Sequence, residues 1–377
     1  MTWIMSIARA TRSLATMLVV AAMAGCAPRP NPEVPAGYDA SYADVIAAAR
    51  RERRLDIWST TDAGQVKELL AGFRRRYPGV AVAYHDLPSS EIHRQFLADL
   101  EEGRPTADLL WSSAMDLQIK LVNDGFAQRY ASPESEALPE WANWKNEAWG
   151  ITAEPIVMIY NRRLIAPASV PTSHVEFRQL LERRSDVRLR GRVATYDPQR
   201  SAVGYLYLLQ DAGATRDLWR TVRALGAARA RLFTTTEAII ADVASGRSAI
   251  GYNVVGSYAA DEMRRSPQLG LVLPHDYTLI MSRIAVIPAR AAHPSAARLF
   301  LDYLLSREGQ HALALHSMPP VRRDVAAPPA LAVRAGSARA IRVGPALLVH
   351  QDQLTRKGTM AKWRAAFSNG QSVGPAN

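Results

Sequence analysis

From Arg54 onward, short apolar runs alternate with stretches of helical period, and this alternation restricts the fold more than any other feature of the chain. "RLDIWST" predicts a strand through Leu55, Ile57 and Trp58. "AGQVKELLAGFRRRYPG" then sets Val66, Leu69, Leu70 and Phe73 on one face of a helix. "VAVAYHD" reads as a second strand, "SSEIHRQFLADLEEG" as a second helix opened by a serine cap, and "ADLLWSS" as a third strand. Strand, helix and strand in this order build a parallel sheet with helices on its faces, so the fold class is α/β. With 377 residues, 48% of them hydrophobic, the chain is long enough for two such units.

In open parallel sheets ligands bind beyond the carboxyl ends of the strands. Those ends read "STTD" (Ser59 to Asp62), "WSSAMD" (Trp111 to Asp116) and "TYDPQRS" (Thr195 to Ser201). All three are rich in hydroxyls and lead toward helix N-termini, where free N–H groups favour an anion. Capping alone explains many such serines and threonines. Arg200 is not required by capping, and with Ser201 it would offer a guanidinium fork, a hydroxyl and backbone N–H donors to an oxyanion. Asp197 either accepts from ligand hydroxyls, orients Arg200, or with Pro198 only initiates a turn.

Charge and motifs narrow the function classes. The net charge of +11 comes mostly from arginines scattered singly or in short runs, which reads as solvated helix faces and not as a nucleic-acid surface. A positive field does favour an anionic ligand or an acidic partner. The eight histidines are dispersed, so no metal site is expected and no cofactor is implied. No GxSxG elbow, Walker A loop, GxGxxG after a strand or CxxC occurs, which leaves no catalytic residue to assign. Trp141, Trp144 and Trp149 read as packing residues sooner than as a sugar platform, and Glu154 as either a cleft or a hinge residue.

Residues 1–25 carry Arg9 and Arg12 ahead of the apolar run Leu14 to Ala24, the arrangement of an export signal. The run ends at Ala24-Gly25-Cys26, which resembles the bacterial lipobox, with Met23 where leucine is usual. Cys26, the only cysteine, is therefore the expected lipidation site; an ordinary secretory signal with an incidental cysteine is the alternative. The four prolines of "APRPNPEVPAG" make residues 26–38 an expected extended linker.

"IWSTTDAGQVKELLAGFRRRYPGVAVAY", "TADLLWSSAMDLQIKLVNDGFAQRY", "WGITAEPIVMIYNRRLI" and "HPSAARLFLDYLLSREGQ" together resemble the extracytoplasmic solute-binding proteins of ABC importers. Within these, the match is to the ferric-ion-binding cluster, which includes proteins similar to phosphoglycerate and hexose-phosphate binders. The resemblance implies a type II periplasmic binding protein: two α/β lobes, crossing strands at Ala153 to Asn161 and Asp276 to Ile287, and a ligand in the interlobe cleft. Lobe one would take residues 39–157 and 282–320, and lobe two residues 158–281 and 321–377. Lobe one would supply Thr60, Thr61, Ser112 and Ser113 to the ligand. Lobe two would supply Tyr196, Asp197, Arg200, Ser201, Thr235 and Thr236 of the "TTT" run, and Asn253. The implied protein is a monomer and not an enzyme, periplasmic, lipid-anchored, with a small anionic metabolite as ligand and an inner-membrane permease as partner.

Iron binders of that cluster hold Fe(III) chiefly through two adjacent tyrosinates just after the strand matched by "AIGYNVVGSYAAD". Here that place reads Asn253, Val254, Val255, with Tyr252 and Tyr258 flanking it. A phosphorylated or carboxylated metabolite is thus expected ahead of ferric iron. A sensor that presents its closed form to a receptor kinase is a further alternative. The export reading is checked by labelled palmitate, which should enter the wild type and not Cys26→Ser; equal labelling of both would refute lipidation.

Overall fold

A computed structural model describes residues 33–183 and 189–372. The expected signal segment, Cys26 and the start of the linker lie outside the described residues. The strands, in chain order, are β1 (Arg54–Ser59), β2 (Ala81–Asp86), β3 (Leu109–Ser112), β4 (Asn143–Trp144) and β5 (Ala148–Gly150). Next come β6 (Glu154–Asn161), β7 (Val193–Tyr196), β8 (Arg231–Phe233) and β9 (Ile250–Val255). The last are β10 (Leu269–Val272), β11 (Thr278–Met281), β12 (Ile284–Val286) and β13 (Ala338–Ala340).

Among the described residues these strands form two sheets. The first runs β2-β1-β3-β12-β5-β4, the second β13-β11-β6-β9-β7-β8 with β10 beside β6. β1 pairs in parallel with β2 and β3, as the strand–helix alternation requires, whereas β12 returns antiparallel between β3 and β5. β11 and β12 are successive in the chain yet belong to different sheets, so the segment around Ser282 crosses between lobes. The apolar run Asp276 to Ile287 is continuous because both of its halves are buried, one in each lobe. This is the two-lobe architecture of a type II binding protein.

Several expected boundaries shift. β6 pairs entirely within the second sheet from Glu154 onward, so residues 154–157 sit in lobe two. Val321 is buried in the core of lobe one, which extends that lobe past residue 320. The C-terminal segment serves both lobes: Leu347 packs with Met115 and Ile119 of lobe one, while the helix Gln353–Ser372 lies on the helix Leu218–Ala227 of lobe two. That last crossing is close enough that a Cβ on Gly226 would come 2.0 Å from the Phe367 carbonyl oxygen and one on Gly370 2.1 Å from that of Arg223, so both positions exclude any side chain.

Two local readings are corrected. The helix Ser89–Glu101 is preceded by Pro88 and makes no side-chain cap; its serines occupy the first turn instead. The expected linker ends early, because residues from Glu33 onward are fastened to lobe one. Glu33 holds Arg50 bidentately at 2.6 and 2.7 Å. Tyr38 packs edge-on against Tyr42 and donates to Glu134 at 2.5 Å.

Asp302, buried in lobe one, accepts hydrogen bonds from Tyr42 (2.7 Å), Tyr130 (2.5 Å) and Ser132 (2.6 Å). Burial pushes its carboxyl up to about 6, although the three donors oppose the shift. A raised acid binds its proton more tightly in the folded state, so its stabilising contribution is complete below about pH 4 and disappears as pH rises through about 6. Asp302→Asn should therefore remove roughly 3 kcal/mol of pH-dependent stability across that window. Urea denaturation at a series of pH values checks this; an unchanged slope between wild type and variant would contradict it.

Candidate functional site

The two lobes meet over a buried ion pair. Arg283 follows β11 at the crossing and Glu154 opens β6, and both are almost completely buried. Arg283 Nε donates to Glu154 Oε1 at 2.8 Å and Nη2 donates to Oε2 at 3.2 Å, a bidentate fork. Nη1 donates to Thr61 Oγ1 of lobe one at 2.7 Å and to the Tyr258 hydroxyl of lobe two at 3.4 Å. Glu154 also accepts from Thr152 at 2.9 Å and from Ser257. Burial alone would push the Glu154 carboxyl up, but the Arg283 charge and these hydrogen bonds hold it below its ordinary range. The pair can stay ionised out of water because its polar atoms are met on several sides.

Above this pair lies a cleft of roughly 360 Å³ with Met281 and Arg283 among its lining residues. Lobe one contributes Thr60, Asp62, Asp86, Ser89 and Ser113. Lobe two contributes Tyr196, Tyr207, Thr234 to Glu237, and Tyr258. Two helices open here, Ser89–Glu101 from one lobe and Thr236–Ala244 from the other, so two helix N-termini border the same cleft; the Glu91 N–H is taken by the Pro88 carbonyl and the Ala238 N–H by Thr235. Burial raises the Tyr258 hydroxyl above its ordinary range despite the nearby Arg283, and also raises those of Tyr196 and Tyr207. Asp86 is raised by burial and then by the neighbouring Asp62.

The expected residues divide. Thr60 and Ser113 line the cleft together: the Ser113 N–H donates to Thr60 Oγ1 at 3.0 Å, and Thr60 Oγ1 donates to Ser113 Oγ at 3.3 Å. Tyr196, Thr235 and Thr236 also line it; Tyr196 is hydrogen-bonded to Thr236, and Thr235 accepts from the Ala238 N–H at 3.2 Å. Thr61 lies beneath the cleft as a partner of Arg283, and Ser112 is buried with its Oγ accepting from the Ala114 N–H at 3.1 Å.

The others do not come to the cleft. Asp197 folds back on its own turn, accepting from the Gln199 N–H at 2.9 Å, while its carbonyl accepts from Arg200 and Ser201. Ser201 caps the following helix through Gly204 at 3.1 Å. Arg200 is exposed and is not among the residues lining the cleft. Asn253, with φ 61°, donates to the buried Asp211 at 2.7 Å and lines a separate cavity of roughly 40 Å³ inside lobe two. Trp149 is a core residue of lobe one, as its packing role predicts.

Arg283, Asp62, Asp86 and Glu237 were missed by reading the sequence. One signal was available for Arg283: it is the only charge in the apolar stretch from Tyr277 to Ile287, where a continuous buried strand should carry none. Among the described residues, no group of three or more His, Cys, Asp or Glu side chains is arranged to hold a metal ion.

The profile of the bacterial extracellular solute-binding proteins matches residues 68–337, and the chain belongs to that family. Its structure resembles the substrate-binding protein of an ABC transporter from Agrobacterium tumefaciens, at 38% identity and a TM-score of 0.77, over 84% of this chain and 94% of that one. It shares its fold with AfuA from Actinobacillus pleuropneumoniae, solved with fructose-6-phosphate (19% identity, TM-score 0.67, 83% and 98% covered). It likewise shares its fold with iron-bound HitA from Pseudomonas aeruginosa (18% identity, TM-score 0.66, 83% and 99% covered). No curated protein matches the chain significantly. The chain is thus an extracytoplasmic solute-binding component of an ABC transporter, not an enzyme, and its partners are a small solute and a permease.

Breaking the hinge pair from one side strands a buried charge, which typically costs about 3–5 kcal/mol. Arg283→Met should lose stability on that scale, and Arg283→Met/Glu154→Leu should recover part of it. Denaturant titrations of wild type, single and double variants check this; a double variant no more stable than the single would show that the pair is not the organising contact.

Proposed function

We propose that this protein captures a small anionic solute bearing hydroxyl groups, of the phosphorylated or carboxylated metabolite class, by closing its two lobes, and delivers it to the permease. The observation that carries this reading is the convergence of helix N-termini and hydroxyls from both lobes on one cleft, over a guanidinium. The first-turn amides that the caps do not use would supply fixed donors to an oxyanion without a desolvated charge. Because Glu154 balances Arg283, the guanidinium acts there mainly as a donor and a rigid floor. The anion's partner in this reading is therefore Arg283 with Ser113, Thr235 and Thr236, in place of Arg200 and Ser201. The likeness to a fructose-6-phosphate-bound protein supports the same ligand class. A monomer tethered by a lipid on Cys26 completes the proposal.

Ferric iron is the second reading, favoured by the hard oxygen donors Tyr196, Tyr258, Asp62 and Glu237 in the cleft. Against it, Val254 and Val255 occupy the place of the adjacent tyrosines and are buried. Burial also raises the cleft tyrosine hydroxyls, so forming tyrosinates there is costly.

Thermal-shift screening should find hits among sugar phosphates, phosphoglycerates or organic acids, because a ligand that binds only the folded state raises the melting temperature. Ser113→Ala and Thr236→Ala should each weaken the hit by about 1 kcal/mol, whereas Arg200→Ala should bind as the wild type does. Ferric citrate should produce no visible tyrosinate-to-iron band. A strong band lost in Tyr258→Phe would put iron first, and lost affinity in Arg200→Ala would return the anion to the position expected from the sequence.

A further inference from the structure

The mouth of the cleft carries the opposite charge from the protein as a whole. The chain has 46 Lys and Arg against 35 Asp and Glu, yet the ionisable side chains lining the cleft are Asp62 and Asp86 of lobe one and Glu237 of lobe two, besides the tyrosines and the Arg283 already balanced by Glu154. Among the described residues, none of these three carboxylates forms an ion pair with a basic side chain, whereas many carboxylates elsewhere do so, Asp242 with both Arg231 and Arg247 among them.

Asp62, Glu237 and Tyr258 also line an adjoining interlobe chamber of roughly 730 Å³. Gln65 lines this chamber, is 7% exposed, and keeps its Oε1 without a donor. Arg264, Arg265 and His316 line the chamber too, but they are paired with Asp261, Glu262 and Glu68, so among the described residues the lining carboxylates left without a basic partner are Asp62 and Glu237. The Tyr258 hydroxyl lies between the lobes within the electrostatic reach of both Asp62 and Glu237, each of which raises it further after burial has done so. Asp86 shows the same crowding within lobe one.

We propose that Asp62 and Glu237, contributed by opposite lobes, form a subsite for an ammonium group of the solute, so that the cargo is an amino-bearing phosphate or carboxylate. This rests on the anion-binding reading given above and adds the other end of the ligand. Closing the lobes brings like charges from both sides into a space from which water is being expelled, and their repulsion grows as the dielectric falls. An ammonium between them converts that repulsion into two attractions and supplies the cationic partner that neither carboxylate has. A hydroxyl at the same place can donate a hydrogen bond but leaves the charge uncancelled. Closure is then coupled to the presence of the amine, which gives specificity by penalising the purely anionic competitor.

The test is titration calorimetry on the full-length protein with matched probes: glucosamine 6-phosphate against glucose 6-phosphate, and phosphoethanolamine against 2-hydroxyethyl phosphate. The amino member of each pair should bind about tenfold more tightly, the scale of one charge contact at a partly open site. Asp62→Asn/Glu237→Gln should bind the two members equally. In small-angle scattering without solute the same variant should be more compact than the wild type, since on this proposal the like charges that oppose closure are gone. Equal affinities in the wild type, or a preference that survives in the variant, would overturn the subsite while leaving the anion reading intact. Binding of free glucosamine or ethanolamine as tightly as their phosphates would overturn the anion reading and leave the subsite. If no probe binds, the scattering decides, and unchanged compaction in the variant overturns the proposal.

Discussion

The ion pair between Arg283 and Glu154 is the contact on which the two-lobed arrangement depends. It sits where chain passes from one sheet to the other, and its hydrogen bonds reach Thr61 on one side and Ser257 and Tyr258 on the other. A charge pair with no water around it is stable only while its geometry holds. The crossing segments are consequently held in one relation, and the floor of the cleft has a fixed position against which the lobes can move. The loop after β1, the start of β6 and the helix Gly256–Met263 all take their placement from the same guanidinium.

A second connection lies in the packing of the C-terminal segment. An apolar cluster containing Met115 and Ile119 from lobe one and Ile156 and Tyr207 from lobe two also takes in Ile341, Val343 and Leu347. Gln351 reaches Asp116 across the same boundary. In the proposed mechanism, closure turns about the ion pair and this strap, and the solute completes contacts that neither lobe makes alone. In that mechanism affinity depends on how well the ligand joins two preformed half-sites, so that hydroxyls and carboxylates from both lobes would act together.

Much of the architecture is legible in the amino-acid sequence. Strands with apolar alternation, helices with a 3.6 period and the placement of polar residues at strand ends are local patterns, set by which face of each element must be dry. Thr60, Ser113, Tyr196, Thr235 and Thr236 follow from that logic and do reach the cleft. Arg200 and Asp197 obey the same pattern and do not. The turn Asp197–Ser201 satisfies its own backbone first, with Asp197 accepting from Gln199 and Ser201 capping its helix, and the guanidinium between them is left in solvent. Local hydrogen-bond competition of this kind cannot be ranked against a distant ligand from spacing alone.

What the order of amino acids determines here is the set of elements, their α/β succession and the hydroxyl-rich strand ends, because each rests on interactions among residues a few positions apart. What required the assembled chain is the partnering of Arg283 with Glu154, 129 residues away, and the presence of Asp62 and Glu237, from different lobes, in the lining of one cleft. An arginine in an apolar strand is a contradiction until its counter-charge is located, and a surface carboxylate is ordinary until another faces it. Both meanings arise from distances between segments, and those distances are set only when the two sheets are folded and joined at the crossing.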